Sequence, residues 1–351
     1  MKKKRILFVH NQNDFTGSTK VLSDVLKYQY NDAEKYVLTM NASEGFLSYI
    51  SDIHIVKIAF PKLFGKTIPM LSSAISLVSR IVFIIKLIPT VDFIYINTIS
   101  PYYAAITARF FNKELFWHIH EKAVVKTKLN TFKEFVQKHT DAHFIFVSQY
   151  VRDKYVLSKK STCEIQYNML YPEFTDRVII RPIQERKPKN IIMVCSYARM
   201  KGIYTFVDIA RKLSQYNFNL VLSVSEEDVN DFIKEVNPPL NCKVYPKQSR
   251  IWEMYALNDL ILNLSNPFFG VETFGMTIIE GMAYGLPAVV PNVGGPLEIV
   301  DGRNGLAVDT TSCESISSAI LEIMEPHNYY TYAKNALESV QRFYYIKNKY
   351  V

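Results

Sequence analysis

Short apolar runs alternate along the chain with longer segments whose apolar residues recur at helical spacing. In the first half, the apolar runs lie at 6–9, 36–38, 54–58, 93–96, 115–119 and 144–147. The helix-like segments lie at 70–88, 102–111 and 131–139. This alternation is typical of parallel sheets with helices on both faces.

The pattern lapses between residues 171 and 190, where three prolines and the charged run Gln184 to Lys187 indicate a linker. Beyond it the alternation resumes. Strands are predicted at 191–195, 219–223, 242–245, 260–264 and 288–290, and helices at 203–214, 250–257, 275–284 and 314–325. We therefore predict an α/β protein with two Rossmann-like, doubly wound domains facing a cleft. Their bounds are 1–170, a linker 171–190, and 191–328, followed by a helix-compatible tail at 329–351.

Composition supports a packed globular protein, because 48% of the 351 residues are hydrophobic and 21% are charged. The net charge of +8 suits an anionic partner such as a nucleotide or a lipid surface. The sequence has no motif of interleaved basic and aromatic residues, so it does not indicate a nucleic-acid binder. The four cysteines form no close pair, which favours a reducing, cytoplasmic location over a disulfide framework.

The segment 70–88, between Pro69 and Pro89, is nearly long enough to cross a bilayer. Arg80, Lys86 and several serines interrupt it, so a helix packed on a sheet is the favoured interpretation. The alternative is a basic helix that contacts the inner face of a membrane without crossing it.

The densest polar cluster surrounds a predicted helix start at Gly275. Glu272 comes just before the helix, Glu280 lies within it, and the pair Gly294 and Gly295 follows the next strand. A helix start offers free backbone N–H groups and a positive dipole end, which together bind anions.

The stretch from Glu272 to Glu280 resembles the E-x7-E signature of retaining GT-B glycosyltransferases, specifically the GT4 family of glycosyl transferases group 1. The resemblance implies that Glu280 binds the ribose of a nucleotide-sugar donor and that Glu272 lies by the donor sugar. It further implies that the backbone amides of Phe274, Gly275 and Met276 hold the diphosphate. By the same resemblance, the tail 329–351 is expected to pack back on the first domain.

Lys201 and Arg199 follow the strand that ends at Cys195, where this family places cations against the leaving diphosphate. Fixed cations there stabilise the charge that develops as the sugar–phosphate bond breaks. No metal or other cofactor is then expected. Two solvated cations at a helix start are the plainer alternative.

Two further positions in the first half match the family. His120 follows a strand where the family often carries a histidine near the donor sugar, although a lone histidine is as often structural. Gly17 fits the glycine loop near the diphosphate, although Ser18 stands where a second glycine is usual.

The resemblance thus predicts a retaining hexosyltransferase that uses a nucleotide-diphosphate sugar, with UDP expected on family frequency. The acceptor is expected to be a glycan or a lipid-linked glycan in bacterial-type surface polysaccharide synthesis, with peripheral membrane contact. Two alternatives stay open: a catalytically inactive GT-B binding subunit, and a GT-B-fold epimerase.

Overall fold

The computed structural model describes residues 3–40, 44–58, 69–121 and 127–346. Its contacts divide the chain into two compact units. The first comprises the residues up to Tyr167 together with Ile346, and the second comprises Asn168–Tyr345.

The described part of the first unit contains a parallel sheet of seven strands in the order β3-β2-β1-β4-β5-β6-β7. The strands are β1 (Arg5–Val9), β2 (Glu34–Thr39), β3 (Ile53–Lys57), β4 (Phe93–Asn97), β5 (Leu115–Ile119), β6 (His143–Phe146) and β7 (Thr162–Ile165). Its helices are α1 (Gly17–Asp24), α2 (Pro69–Leu87), α3 (Tyr102–Phe110), α4 (Lys128–Lys138) and α5 (Gln149–Arg152).

The central strands of this sheet are continuous apolar runs because both of their faces are covered. Ile6, Leu7, Phe8 and Val9 of β1 are fully buried. The strand order reverses between β1 and β4, since β2 and β3 extend the sheet on one side and β4 to β7 on the other. In open α/β sheets, ligands bind beyond the carboxyl ends of the strands at such a switch point.

In the second unit, a parallel sheet of six strands has the order β10-β9-β8-β11-β12-β13 in the described region. The strands are β8 (Asn190–Cys195), β9 (Asn217–Leu222), β10 (Cys242–Tyr245), β11 (Leu260–Leu262), β12 (Ala288–Pro291) and β13 (Gly305–Val308). The helices are α6 (Pro172–Thr175), α7 (Ile203–Lys212), α8 (Glu226–Val236), α9 (Ile251–Ala256), α10 (Met276–Ala283), α11 (Cys313–Met324) and α12 (Pro326–Val340). The switch point of this sheet lies between β8 and β11.

The sequence-based prediction missed several short or polar elements, among them β7, β13 and α8. Strand β7 lies at the edge of its sheet, and all four of its residues are exposed. Strand β13 is only four residues long and begins at a glycine. Helix α8 is mostly polar and begins with a capping box in which Ser225 and Asp228 bond reciprocally.

The predicted linker 171–190 is fastened to the second unit. The guanidinium of Arg186 donates to the carbonyl oxygens of Tyr284 and Gly285, at 2.8 and 3.0 Å. Arg181 forms an ion pair of 2.9 Å with the buried Asp259. Charged side chains that the sequence suggested to be solvated therefore attach this segment to the second unit. The boundary between the units lies a few residues earlier than predicted.

The described part of the predicted tail 329–351 divides between the two units. Helix α12 lies within the second unit and packs against α10 and α11, whereas Ile346 belongs to the first unit. The apolar positions of α12 are buried, which accounts for the placement of this helix: Tyr329, Ala333, Ala336 and Val340. The predicted tail residues 347–351 lie outside the described residues.

Helix α2 covers the segment for which a membrane contact was considered, and its main neighbour is α3. Within the described ranges, none of the helices combines the length and the apolar character needed to cross a membrane.

Candidate functional site

The first group of predicted residues meets at the switch point of the second sheet. Lys201 lies in a 3-10 turn, Arg199–Lys201, that follows β8, and Glu272 lies in the loop that leads from β11 to α10. Strands β8 and β11 are neighbours, so both residues stand beyond adjacent strand ends. The fold thus brings together two side chains that are 71 positions apart.

Lys201 and Glu272 form a direct ion pair. The Nζ atom of Lys201 donates to Oε2 of Glu272 at 2.6 Å, and the two side chains are only 23% and 16% exposed. The Glu272 carboxylate also bonds to the side chain of the buried Asn263 and to the backbone of Phe274. These contacts hold the carboxylate in one place without help from a ligand.

Burial and pairing act in opposite directions on these two groups. Burial disfavours both charges, but the attraction and the hydrogen bond between them outweigh it, so that the pKa of Lys201 is raised and the pKa of Glu272 is lowered. Burial also raises the pKa of the neighbouring Cys195 thiol to about 12, which keeps that thiol neutral. The site therefore holds one fixed cation beside one fixed anion.

Glycines let the backbone of the Glu272 loop pack closely. Gly294 has a φ of +96°, and a Cβ atom there would lie 2.4 Å from the carbonyl oxygen of Glu272. The amide of Gly295 donates to that same oxygen at 3.0 Å. The pair of glycines seen in the sequence thus fixes the position of the Glu272 loop.

Helix α10 begins directly after this loop. Gly275 is its N-cap, in a left-handed conformation with a φ of +111°, and Phe274 before it is buried. The backbone amides at the start of a helix lack intrahelical acceptors and carry the positive end of the dipole. The predicted diphosphate-binding residues Phe274, Gly275 and Met276 therefore lie where an anion would be favoured.

Glu280 lies one turn beyond the start of α10, and a tyrosine holds its side chain. The hydroxyl of the fully buried Tyr255 donates to Oε2 of Glu280 at 2.7 Å. Burial, and secondarily the charge of Glu280, raise the pKa of Tyr255 well above its ordinary value, so the phenol stays a donor. The Tyr255 hydroxyl thus fixes the direction of the Glu280 carboxylate, which the family resemblance assigns to the ribose.

Arg199 is exposed, and its guanidinium carbon lies 4.8 Å from the centre of the Phe269 ring. This is a cation–π contact with the loop that precedes Glu272. Arg199 and Lys201 thus share one turn, but Lys201 alone is paired with Glu272.

The second group of predicted residues lies at the switch point of the first sheet. His120 follows β5, and its Nε2 atom lies 2.8 Å from Oδ1 of Asn97 at the end of β4. The Nδ2 atom of Asn97 lies 3.1 Å from Nδ1 of His10, which follows β1, and Nε2 of His10 contacts the hydroxyl of Thr19 at 3.0 Å. Three adjacent strand ends therefore contribute to one buried polar chain.

Burial keeps His10, His120 and the adjacent His118 neutral. It lowers the pKa of His118 to about 3, and it lowers the pKa values of His120 and His10 as well. The rings of His118 and His120 lie 4.2 Å apart, and His118 bonds to the hydroxyl of Tyr95 at 2.8 Å. Neutral histidines can accept or donate one hydrogen bond to an uncharged group such as a sugar hydroxyl.

Gly17 is the first residue of α1, and neither its backbone conformation nor its surroundings require a glycine. Its φ is not positive, and a Cβ atom built there meets no heavy atom within 4 Å. The adjacent turn is instead held by Asp14, which accepts hydrogen bonds from Thr16 and Thr19.

Sequence reasoning gave no role to His10, Asn263 or Tyr255. His10 and Asn263 each follow an apolar run by one position, a signal that could have found them once the strand order was known. Tyr255 carries no local signal, because it reaches Glu280 from another helix. Among the described residues, no three His, Cys, Asp or Glu side chains cluster in a way that could hold a metal ion.

Comparison with known proteins supports the predicted family. Residues 176–339 match the family model described as Glycosyl transferases group 1. A segment of 104 residues is 38% identical to sucrose-phosphate synthase 4 of Arabidopsis thaliana, and it makes up 28% of this chain but 10% of that protein. A spinach (Spinacia oleracea) sucrose-phosphate synthase is 36% identical over 105 residues, with the same two shares. The chain thus spans about a tenth of the length of these curated relatives.

Solved structures match nearly the whole chain. Anabaena HepE in complex with UDP and glucose has a TM-score of 0.77 at 19% identity, covering 97% of this chain and 95% of that one. WaaG, a glycosyltransferase involved in lipopolysaccharide biosynthesis, has a TM-score of 0.71 at 13% identity, covering 96% and 95%. The chain therefore has the GT-B glycosyltransferase fold with two Rossmann-like domains, as predicted.

Proposed function

From the glycosyl transferases group 1 match of residues 176–339 and the fold of the whole chain, we propose that this protein is a glycosyltransferase that takes its sugar from a nucleotide-diphosphate donor. The observation that carries the proposal is the joint placement of Lys201, Glu272, Glu280 and the start of α10 at one sheet edge. This edge offers a cation and the backbone amides at the start of α10 for a diphosphate, beside a carboxylate directed by Tyr255.

A UDP-sugar is the proposed donor, because HepE was solved with UDP, UDP-glucose and glucose. In this proposal Glu280 accepts hydrogen bonds from the ribose hydroxyls, and the amides of residues 274–276 with Lys201 and Arg199 bind the diphosphate. As the sugar–phosphate bond breaks, the negative charge that develops on the leaving diphosphate is stabilised by these fixed groups.

The proposed reaction retains the anomeric configuration, with the acceptor hydroxyl attacking from the face that the diphosphate leaves. Glu272 and His120 are the proposed residues near the donor sugar, and Gly17 the proposed residue near the diphosphate. No metal is required, so activity should survive chelation by EDTA. The proposed acceptor is a glycan or lipid-linked glycan of bacterial-type surface polysaccharide synthesis, used on the cytoplasmic side of a membrane.

The test is the melting temperature of the full chain with UDP, GDP, ADP and CMP. A ligand at about 100 times its dissociation constant stabilises a protein by roughly 2.7 kcal/mol, which raises the melting temperature by a few degrees. We expect UDP to give the largest rise. A larger rise with GDP or ADP would replace UDP as the nucleotide of the proposed donor. No rise with any of the four nucleotides would contradict the proposal.

Turnover separates the enzyme from a binding subunit. The release of UDP from UDP-glucose is measured in the presence of a lipid extract as the acceptor source. Binding of UDP without any release from a panel of UDP-sugars would favour the inactive binding subunit.

A further inference from the structure

Helix α2 buries two polar side chains and exposes several apolar ones. Ser76 and Arg80 are only 1% and 5% exposed, whereas Val78 and Val82 are 59% and 43% exposed. Arg80 donates to the backbone oxygen of Ser76 at 3.0 Å, and its guanidinium carbon lies 4.7 Å from the ring centre of Tyr103 on α3. A helix that faces water has the opposite arrangement.

The two neighbouring helices continue this exposed apolar character. Helix α3 packs against α2, and α4 packs against α3. Right-handed crossovers place the three helices on one face of the sheet. We define the apolar face by six exposed side chains of these helices: Val78, Val82, Ile106, Phe110, Phe132 and Phe135.

The aromatic members of the apolar face are the most informative. Phe110 is 82% exposed and Phe135 is 58% exposed. Phe132 contacts Tyr102 of α3, with 5.5 Å between ring centres, yet it remains 46% exposed. Single exposed apolar residues are ordinary, but a group of them on adjacent helices marks an interaction surface.

Charge indicates what this surface meets. Helices α2, α3 and α4 carry six Lys or Arg residues and one acidic residue, Glu134, whereas the whole chain has 41 basic and 33 acidic residues. Lys86, Arg109, Lys128 and Lys138 are exposed. Lysine is depleted at protein–protein interfaces, whereas apolar residues framed by lysine are typical of helices that lie on anionic membranes.

We propose that α2, α3 and α4 form a docking surface for a lipid bilayer with anionic headgroups. The side chains of the apolar face enter the boundary between headgroups and acyl chains, and the exposed lysines and Arg109 contact the headgroups. This proposal extends the proposed function and rests on it, because the docking surface would serve the use of a lipid-linked acceptor. It can be tested without donor or acceptor, so the two proposals can fail separately.

The test is flotation of the full chain with vesicles of phosphatidylcholine alone or mixed with phosphatidylglycerol. We expect binding to the mixed vesicles, and weaker binding at high salt, because salt screens the attraction. The double variant Phe110→Ser, Phe135→Ser should bind at least about tenfold more weakly, since each ring loses its burial in the bilayer. Lys128→Gln with Lys138→Gln should lower binding to the mixed vesicles about tenfold.

Leu240→Ser is the matched control, because Leu240 is fully exposed in the second unit and should not change binding. Urea unfolding and UDP binding of each variant check that the fold is intact. The proposal is overturned if the wild-type chain does not float with the mixed vesicles, or if the phenylalanine variant floats equally well. Self-association that the same variant abolishes, without vesicle binding, would assign the face to a second copy of this chain and would also overturn the proposal.

Discussion

At the scale of single residues, the Lys201–Glu272 pair is the feature with the clearest electrostatic consequence. Because the pKa of Glu272 is lowered from its ordinary value of 4.5, the pair stabilises the fold fully above that value. The stabilisation is lost as the pH falls from there through the lower folded-state pKa. Because the pKa of Lys201 is raised from 10.5, the same stabilisation is lost in alkali only as the pH rises through the higher folded-state pKa.

The free energy of unfolding should therefore depend less on pH in the double variant Lys201→Met, Glu272→Gln than in the wild-type chain. The reason is that the variant has no carboxylate to protonate at this position. Urea titrations between about pH 3 and pH 7 measure the slope. The control is Lys334→Met, Glu338→Gln, which removes an exposed pair with 3.8 Å between its charges. If the free energy of unfolding falls as steeply in acid in the Lys201→Met, Glu272→Gln variant as in the wild type, the assignment of the pair is refuted.

Tyr255 gives a second prediction, which rests on the proposed donor. Tyr255→Phe removes the hydroxyl that directs Glu280, so we expect the affinity for UDP to fall about tenfold, the equivalent of about 1.4 kcal/mol. Isothermal titration calorimetry measures the change. Tyr284→Phe is the control, because the hydroxyl of Tyr284 bonds to the carbonyl of Arg177 instead. Equal affinities in the wild type and Tyr255→Phe would show that the hydroxyl does not position Glu280 for binding.

At the scale of elements, the sequence predicts most strands and helices of both sheets to within a few residues, because buried parallel strands are strongly apolar. It does not predict β7 or α8, whose polar residues are held by edge pairing and by a cap. Glu272, Glu280 and Lys201 could be proposed from the sequence because the family motifs that they match are local. Tyr255, Asn263 and His10 could not, since their roles depend on which strands and helices become neighbours.

The Gly294 turn yields a prediction at this scale. Gly294→Ala combines a positive φ with a clash against the Glu272 carbonyl, so we expect a loss of about 2 to 3 kcal/mol in the free energy of unfolding and weaker UDP binding. Gly302→Ala is the matched control. Gly302 has a φ of +84° but open space around its Cβ position, so it should lose only about 1 to 2 kcal/mol.

Urea unfolding measures both losses. If Gly294→Ala costs no more stability than Gly302→Ala, and UDP binding is intact, the Glu272 loop does not depend on close packing against this turn.

At the scale of the whole molecule, each unit has its own parallel sheet and its own polar cluster at the switch point. The first unit presents neutral histidines and Asn97, and the second presents paired charges and a helix start. The first set suits uncharged groups such as hydroxyls, and the second suits a diphosphate. The division agrees with the proposed function, in which the second unit holds the nucleotide.

The most direct test of this account is calorimetric titration of UDP into the full-length wild-type chain, into Glu280→Ala and into the control Glu314→Ala. Glu314 is an exposed glutamate in the first turn of α11, outside the site. The account predicts binding of one UDP by the wild type and the control, and a loss of affinity of at least about tenfold in Glu280→Ala, because the ribose hydroxyls lose a charged acceptor. Unchanged affinity in Glu280→Ala would contradict the placement of the nucleotide on which the account depends.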